Sequence, residues 1–326
     1  MLPGFSYTRP ETLKKAVEEL KAAEDAYLHA GGTDLLGCLH DGVFPAGKVV
    51  SISALKGLQE VRKLSDGGLL IGALTTIRTL ETDADIGARY PVLSQAAAEV
   101  ASPQLREQGT LGGNLCQKPR CWYYRGEFDC LRKGGKECFA FNGQNQFHCI
   151  LGGSACYIVH PSDTAPALLA LDASLQVSGP QGERSLPLSE LHVAPNDDPR
   201  REIYLEAGEI ITAIKLPKPA AGLKSSYRKI RARQSWDFAV AGVALALVMD
   251  NGTVKDSRVV LSGAAPIPWR SQKAEQALQG KPLNAEAAGL AAMEAMADAR
   301  PLEHNAYKVP MFKGLIKEEL LKFIAD

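Results

Sequence analysis

Six of the seven cysteines of this chain fall between Cys116 and Cys156, in the spacing Cys116-x4-Cys121-x8-Cys130-x7-Cys138-x10-Cys149-x6-Cys156. From Arg106 to Gly153 the sequence is polar, glycine-rich and without a sustained period. A stretch that long inside a compact domain is either functional or held by something other than apolar burial. Structural zinc asks for four Cys/His ligands and usually shows close C-x2–4-C pairs, whereas the only close pair here is Cys116 with Cys121. Disulfides are disfavoured by the odd cysteine count and by the opening MLPGFSYTRPETLKKAVEEL, which lacks a secretion signal. An iron–sulfur cluster takes thiolates from segments that wrap an inorganic core and tolerates wider spacing. Lys118, Arg120, Arg125, Arg132, Lys133 and Lys136 stand there against Glu127, Asp129 and Glu137, an excess of cations that offsets thiolate charge. The residues therefore rank iron–sulfur ahead of zinc, with one or two of the six thiols left as unligated bystanders. Cys38, in an amphipathic helical stretch, reads as a small core residue.

Charge narrows the partners. The chain carries 37 basic and 37 acidic side chains, so it has no net field for nucleic acid or an anionic membrane. The longest apolar run, Phe238 to Met249, is twelve residues, too short for a membrane span. The expected location is the cytoplasm, with export on a partner's signal left open.

Periodicity predicts an α/β opening: a helix through Leu13, Ala16, Val17 and Leu20, a strand at Tyr27 to Ala30, a helix at Leu35 to His40 and a strand at Lys48 to Ile52. A hairpin at Val61 to Leu64 and Leu69 to Ala73 follows, then helices at Thr76 to Asp83 and Pro91 to Val100. Beyond the cysteines come a strand at Cys156 to His160, a helix at Thr164 to Leu171 and a strand pair about Gly179 to Gly182. The segment LPKPAAGL near residue 220 marks a boundary. After it come strands at Ser226 to Arg231, Val240 to Val248 and Arg258 to Ala264, and helices at Ala274 to Leu278, Ala285 to Ala297 and Gly314 to Ala325. That is an α+β module of ordinary domain size.

Two glycine pairs stand out, Gly31-Gly32-Thr33-Asp34 and Thr110-Leu111-Gly112-Gly113-Asn114. Glycine admits positive φ and lets backbone N–H groups approach a phosphate with no Cβ in the way. Either pair alone is an ordinary turn; two together could grip a pyrophosphate from both sides. Neither fits G-x-G-x-x-G or a P-loop, so a Rossmann or P-loop fold is not supported.

These residues resemble a known family. The stretches Ala30-Gly31-Gly32-Thr33-Asp34-Leu35, Ile71 to Thr76, Thr110 to Asn114 and Pro161 to Leu168, with Gly208 to Ile211 and Tyr227 to Arg231 through Ser235-Trp236-Asp237-Phe238-Ala239, look like the FAD-binding medium subunit of molybdenum hydroxylases, the xanthine dehydrogenase and carbon monoxide dehydrogenase group. The resemblance covers almost the whole chain. In the common form the Gly-Gly-Asn loop is soon followed by the Ser-Asp segment; here the cysteines intervene. That insertion resembles the subset with an extra [4Fe-4S] cluster, the 4-hydroxybenzoyl-CoA reductase β subunit and bacterial aldehyde oxidoreductase FAD subunits.

The resemblance implies an α+β, two-subdomain FAD-binding fold, at 1–57 and at 58–220 with the insertion at about 115–157, followed by a C-terminal α+β domain with a small antiparallel sheet at 221–326. It implies cluster ligands Cys121, Cys130, Cys138 and Cys156, with Cys116 as a bystander and Cys149 competing for the fourth place. Gly31, Gly32, Thr33, Asp34 and Leu35, with Thr110, Gly112, Gly113 and Asn114, would hold the FAD pyrophosphate and ribityl chain; Asp163 would accept from the adenosine end and Thr76 touch the cofactor. Lys229 has two equal readings, a cation near the flavin ring or a solvated member of the basic stretch Arg228 to Arg233. His148 and His160 are not assigned as ligands. Implied partners are a molybdenum-cofactor large subunit, a small subunit with [2Fe-2S] clusters, and ferredoxin, NAD or another electron carrier. The implied function is electron transfer for hydroxylation or reduction of aromatic acyl-CoA thioesters, aldehydes or N-heterocycles. The competing class is a zinc-stabilised assembly module without flavin; retention of both glycine loops speaks against it.

Overall fold

The computed structural model describes residues 2–234 and 236–325; Ser235, within the matched Ser235-to-Ala239 stretch, lies outside them. The N-terminal part is a parallel sheet of β1 (Ser6–Thr8), β2 (Ala26–His29) and β3 (Lys48–Ser51), in the order β1-β3-β2. Against it lie α1 (Leu13–Lys21), whose cap Thr12 accepts from the Lys15 N–H, and α2 (Leu35–His40). The second sheet is antiparallel, β4 (Val61–Lys63), β5 (Leu69–Gly72), β6 (Ser174–Gly179), β7 (Gly182–Pro187) and β8 (Ile210–Leu216), ordered β4-β5-β8-β6-β7. Its helices are α3 (Ile77–Thr82), α4 (Ala84–Arg89), α5 (Pro91–Ala98), α6 (Pro103–Gln108), α7 (Leu111–Leu115), α8 (Trp122–Arg125) and α9 (Thr164–Ala170).

The third sheet is an antiparallel meander, β9 (Leu223–Ile230), β10 (Ala241–Asp250), β11 (Thr253–Ser262) and β12 (Trp269–Arg270), with α10 (Gln272–Leu278), α11 (Ala285–Ala295) and α12 (Lys308–Ala325). The twelve-residue apolar run becomes β10, buried on both faces. Ala241, Val243, Leu245 and Leu247 enter the core of α10 to α12, while Ala244 and Ala246 join Tyr227 and Val260 in the core beneath α5 and α9. A strand covered on both sides reads as a continuous apolar run, not an alternating one. No helix among the described residues is long and apolar enough to cross a membrane.

Several expected elements differ. Cys156 to His160 is not a ladder strand; it is extended chain whose Tyr157 carbonyl accepts from the Cys149 N–H (3.0 Å) and whose His160 N–H donates to Ala265 (2.9 Å). The cysteine region, expected to lack regular structure, holds two short helices, α7 and α8, and a 3-10 turn at Leu131–Lys133. The last helix starts at Lys308, ahead of the expected Gly314, because Pro310 falls in its first turn, where the missing N–H costs no helical bond. β1 and α4 gave no signal; Ser6–Thr8 is an edge of three residues, and α4 is started by the Asp83 side chain accepting from Asp85 and Ile86.

Candidate functional site: a flavin-sized cleft beside a cysteine pocket

A cleft of about 700 Å³ opens between the N-terminal sheet and the second sheet, within the size range of cofactor sites. Gly31, Gly32, Thr33, Asp34 and Leu35 form one wall; Thr110, Gly112, Gly113 and Asn114 form another, and Asp163 reaches it too. The loops touch: a Cβ on Gly31 would overlap the Gln108 carbonyl at the start of the second loop. Gly32 sits at φ 74°, a conformation that glycine takes without strain. Gly113 is different, since the one close neighbour of an added Cβ would be Thr110 Oγ1 at 2.9 Å; its open side faces outward.

The second loop is tightly set. Thr110 caps α7 by accepting from the Gly113 N–H (3.2 Å). Asn114 Oδ1 accepts from Ser162 Oγ (2.5 Å) and Thr164 Oγ1 (2.6 Å), which leaves its amide nitrogen as the donor that can serve a ligand. The segment Pro161 to Thr164 therefore orients the asparagine. Thr76 does not line the cleft; it caps α3, accepting from the Thr79 N–H (3.1 Å), and bridges to Thr110. Its contribution is to register the second loop.

Lys229 is neither solvated nor a wall of the cleft. Its side chain is fully buried, with Nζ 2.8 Å from Asp163 Oδ2 and donating to the Glu99 carbonyl (3.0 Å). Tyr227 donates to Asp163 Oδ1 (2.7 Å), and burial raises the Tyr227 phenol well above its ordinary value. β9 thus reaches across to α9 through a paired charge in a dry core. Lys229→Met should destabilise the chain by about 3–5 kcal/mol, because it strands the Asp163 carboxylate; urea unfolding measures it, and a loss near zero would mean that water reaches the pair.

The four cysteines Cys121, Cys130, Cys138 and Cys156 line one buried cavity, with Tyr123, Tyr124, Arg132 and His148 in the same wall. The two remaining cysteines of the insertion lie elsewhere. Cys116 lines the flavin-sized cleft, its thiol pushed up to about 12 by burial, and Cys149 is buried apart from the cavity wall. Among the described residues no three His, Cys, Asp or Glu side chains converge on a point that would hold a single metal ion. Burial pushes the Cys121 thiol up to about 11. Cys138 is raised by donating to Cys156, and Cys156 is lowered by accepting that bond and then by the Arg132 guanidinium. His148 Nε2 lies 3.2 Å from Cys121 Sγ, and burial lowers the ring to about 4, so it is neutral.

The space that the four cysteines line is only about 10 Å³, smaller than a polynuclear cluster, but four thiols in one wall are the donor set that such a cluster takes. The cations fit as well. Arg132 is buried, and its Nε has no hydrogen-bond partner among the described residues. Such an orphaned donor is costly unless an anion meets it.

Two carboxylates gather these cations, and one of them, Glu202, links the cleft to the cysteine pocket through Arg132. Asp34, in the first glycine loop, takes Arg120 (2.8 Å) and Arg125 (2.7 Å) on Oδ1 and the Lys118 N–H (2.7 Å) on Oδ2. Glu202 also lines the cleft; its Oε1 takes Arg132 (2.7 Å) and its Oε2 takes Lys118. The cationic excess had shown in the sequence, but its partner Glu202 carried no signal, since it lies 70 residues from Arg132. On the far side the C-terminal domain clamps the insertion. Asn305 Nδ2 donates to the His148 (3.1 Å) and Cys149 (3.2 Å) carbonyls, and buried Lys308 donates to His148 (3.1 Å) and Gly263 (2.5 Å).

The comparisons with known proteins agree with this geometry. Residues 3–219 match the family described as FAD binding domain in molybdopterin dehydrogenase, and residues 225–323 match the CO dehydrogenase flavoprotein C-terminal domain. The chain is similar to the aldehyde oxidoreductase FAD-binding subunit PaoB of Escherichia coli (strain K12), 34% identical with 98% of each chain covered. It is also similar to a xanthine dehydrogenase FAD-binding subunit of Escherichia coli O157:H7, 30% identical over 92% of this chain and 88% of that one. Among solved structures, carbon monoxide dehydrogenase from Hydrogenophaga pseudoflava superposes with a TM-score of 0.77 at 27% identity, covering 98% of this chain and 96% of that one. The fold, the doubled glycine cradle and these matches agree, and the chain belongs to the FAD-binding medium subunits of the molybdenum hydroxylase family.

Proposed function

We propose that this chain is the electron-transfer subunit of a heterotrimeric molybdenum hydroxylase, holding FAD in the cleft and a [4Fe-4S] cluster on Cys121, Cys130, Cys138 and Cys156. One observation carries the reading: a cleft lined by both glycine loops and a pocket lined by four cysteines are joined by one ion pair, Glu202 in the cleft wall with Arg132 in the pocket wall. FAD, when bound, supplies exchange between two-electron and one-electron carriers. The chain's own residues bind and orient it. Backbone N–H groups of Gly31 to Asp34 would face the pyrophosphate, with the Asn114 side-chain amide as the donor from the second loop, whose own Gly112 to Asn114 N–H groups bond within the protein. Asp163 keeps lone pairs for the adenosine although both its oxygens are already engaged. Ile77, Val100 and Ile211 keep the cleft's inner end dry.

In this reading the partners are a molybdenum-cofactor large subunit and a [2Fe-2S] small subunit, the carrier is ferredoxin, NAD or a similar acceptor, and the setting is the cytoplasm. Likeness to an aldehyde oxidoreductase subunit favours aldehydes as the substrate class. The division of the chain at about residues 57 and 220 is part of the proposal, supported by three sheets that occupy successive stretches of sequence. Anaerobic purification with bound partners, followed by flavin, iron, sulfide and zinc analysis, tests it. The expected result is stoichiometric FAD with iron and acid-labile sulfide on this chain; zinc without iron would overturn the cluster assignment.

A further inference from the structure

Resting on that reading, we infer that Arg132 and Glu202 form a charge-tuning pair that sets the reduction potentials of both centres, Arg132 acting on the cysteine cavity and Glu202 on both sites. Neither is a catalytic residue. Their placement is what points to the role. Arg132 projects into the wall of the cysteine cavity with its side chain 2% exposed. It is held there by Glu202 Oε1 at 2.7 Å and the Arg201 carbonyl at 3.1 Å, while its Nε stays unpartnered among the described residues. Glu202, 9% exposed, faces the flavin cleft and also takes Lys118.

One carboxylate therefore stands against two cations. Asp34 repeats the pattern against Arg120 and Arg125. Each group has one positive charge in surplus; the Glu202 group spans the two cavities, while the Asp34 group lies on the cleft side. Arg132 and Glu202, 2% and 9% exposed, are screened weakly and act on an electron added to either side, whereas Lys118 and Arg120, 32% and 29% exposed, are screened more. A positive charge nearby favours the reduced, more negative form of a redox centre, and a negative charge opposes it.

The signs separate this role from a structural one. In the full anaerobic complex, Arg132→Gln should shift the cluster's one-electron reduction equilibrium about tenfold toward the oxidised form, about 59 mV downward, with a much smaller change at the flavin. Glu202→Gln frees Arg132 and Lys118 from their counter-charge and should raise both potentials. Arg132→Lys keeps the charge and should hold the cluster near its unsubstituted value. The double variant should fall between the singles. Redox titration followed by electron paramagnetic resonance for the cluster and absorbance for the flavin reads all four. Shifts of the same sign in Arg132→Gln and Glu202→Gln, or a flavin potential unmoved by Glu202→Gln, would overturn the inference. If Arg132→Gln fails to assemble, the sign and reach of the Glu202→Gln shift decide. Failure of the underlying reading shows separately, as an unsubstituted complex without iron on this chain.

Discussion

Cys156→Ser should strip the cluster iron from this chain, whereas Cys149→Ser should leave it in place. The two thiols are seven positions apart in sequence and lie on paired segments, the Cys149 N–H donating to the Tyr157 carbonyl at 3.0 Å. Their side chains nevertheless have different surroundings. Cys156 shares its cavity with Cys121, Cys130, Cys138 and Arg132. Cys149 lies against Gly153, where an added Cβ would come within 2.8 Å of its sulfur, and its thiol is raised by burial. A serine hydroxyl is a poor replacement for a thiolate at an iron, so the substitution at a true ligand removes the cluster. At Cys149 the same change costs only a core contact. Iron and sulfide content with the low-temperature resonance spectrum of the reduced protein measure both; the reverse pattern would move the fourth ligand to Cys149.

Gly113→Val should lower FAD affinity at least about a hundredfold, about 2.8 kcal/mol, while leaving the fold intact. An added side chain there meets Thr110 Oγ1 at 2.9 Å, so that hydroxyl must turn aside, and otherwise enters the cleft that both loops line. Gly32→Val should expel FAD too, but by a second route. At φ 74° valine is strained, and its Cβ would lie 2.6 Å from His29 Nε2, so the first loop itself must move. Flavin fluorescence after gel filtration gives the occupancy, and circular dichroism separates the two causes. Full occupancy in both variants would refute the two-loop cradle.

Much of this was legible from the sequence because local rules carry it. The glycine pairs announce a close backbone approach, and all nine positions named in the two loops line the cleft. The long apolar run was too short for a membrane and fits a strand buried on both faces. What stayed hidden depends on pairing across sequence distance. Lys229 reads equally as a cation near the flavin ring or as a solvated member of the basic stretch, yet Asp163, 66 positions away, draws it into the core. The spacing of the cysteines could not rank Cys149 against Cys156; the fold puts Cys156, and not Cys149, in the wall shared with Cys121, Cys130 and Cys138. Cys156 to His160 has strand-like residues but no neighbouring strand, and so remains an extended tether between the cysteine pocket and the C-terminal sheet.

The clamp of Asn305 and Lys308 on the His148 and Cys149 carbonyls has a consequence for biosynthesis. Asn305 leaves the ribosome 149 positions after Cys156, yet it and Lys308 hold the back of the cysteine pocket. A nascent chain that already displays all four cysteines therefore still lacks the support for that wall. In the proposed reading, cluster delivery should follow the emergence of residue 308, and chains truncated before residue 305 should emerge with scattered, oxidisable thiols in place of a loadable site.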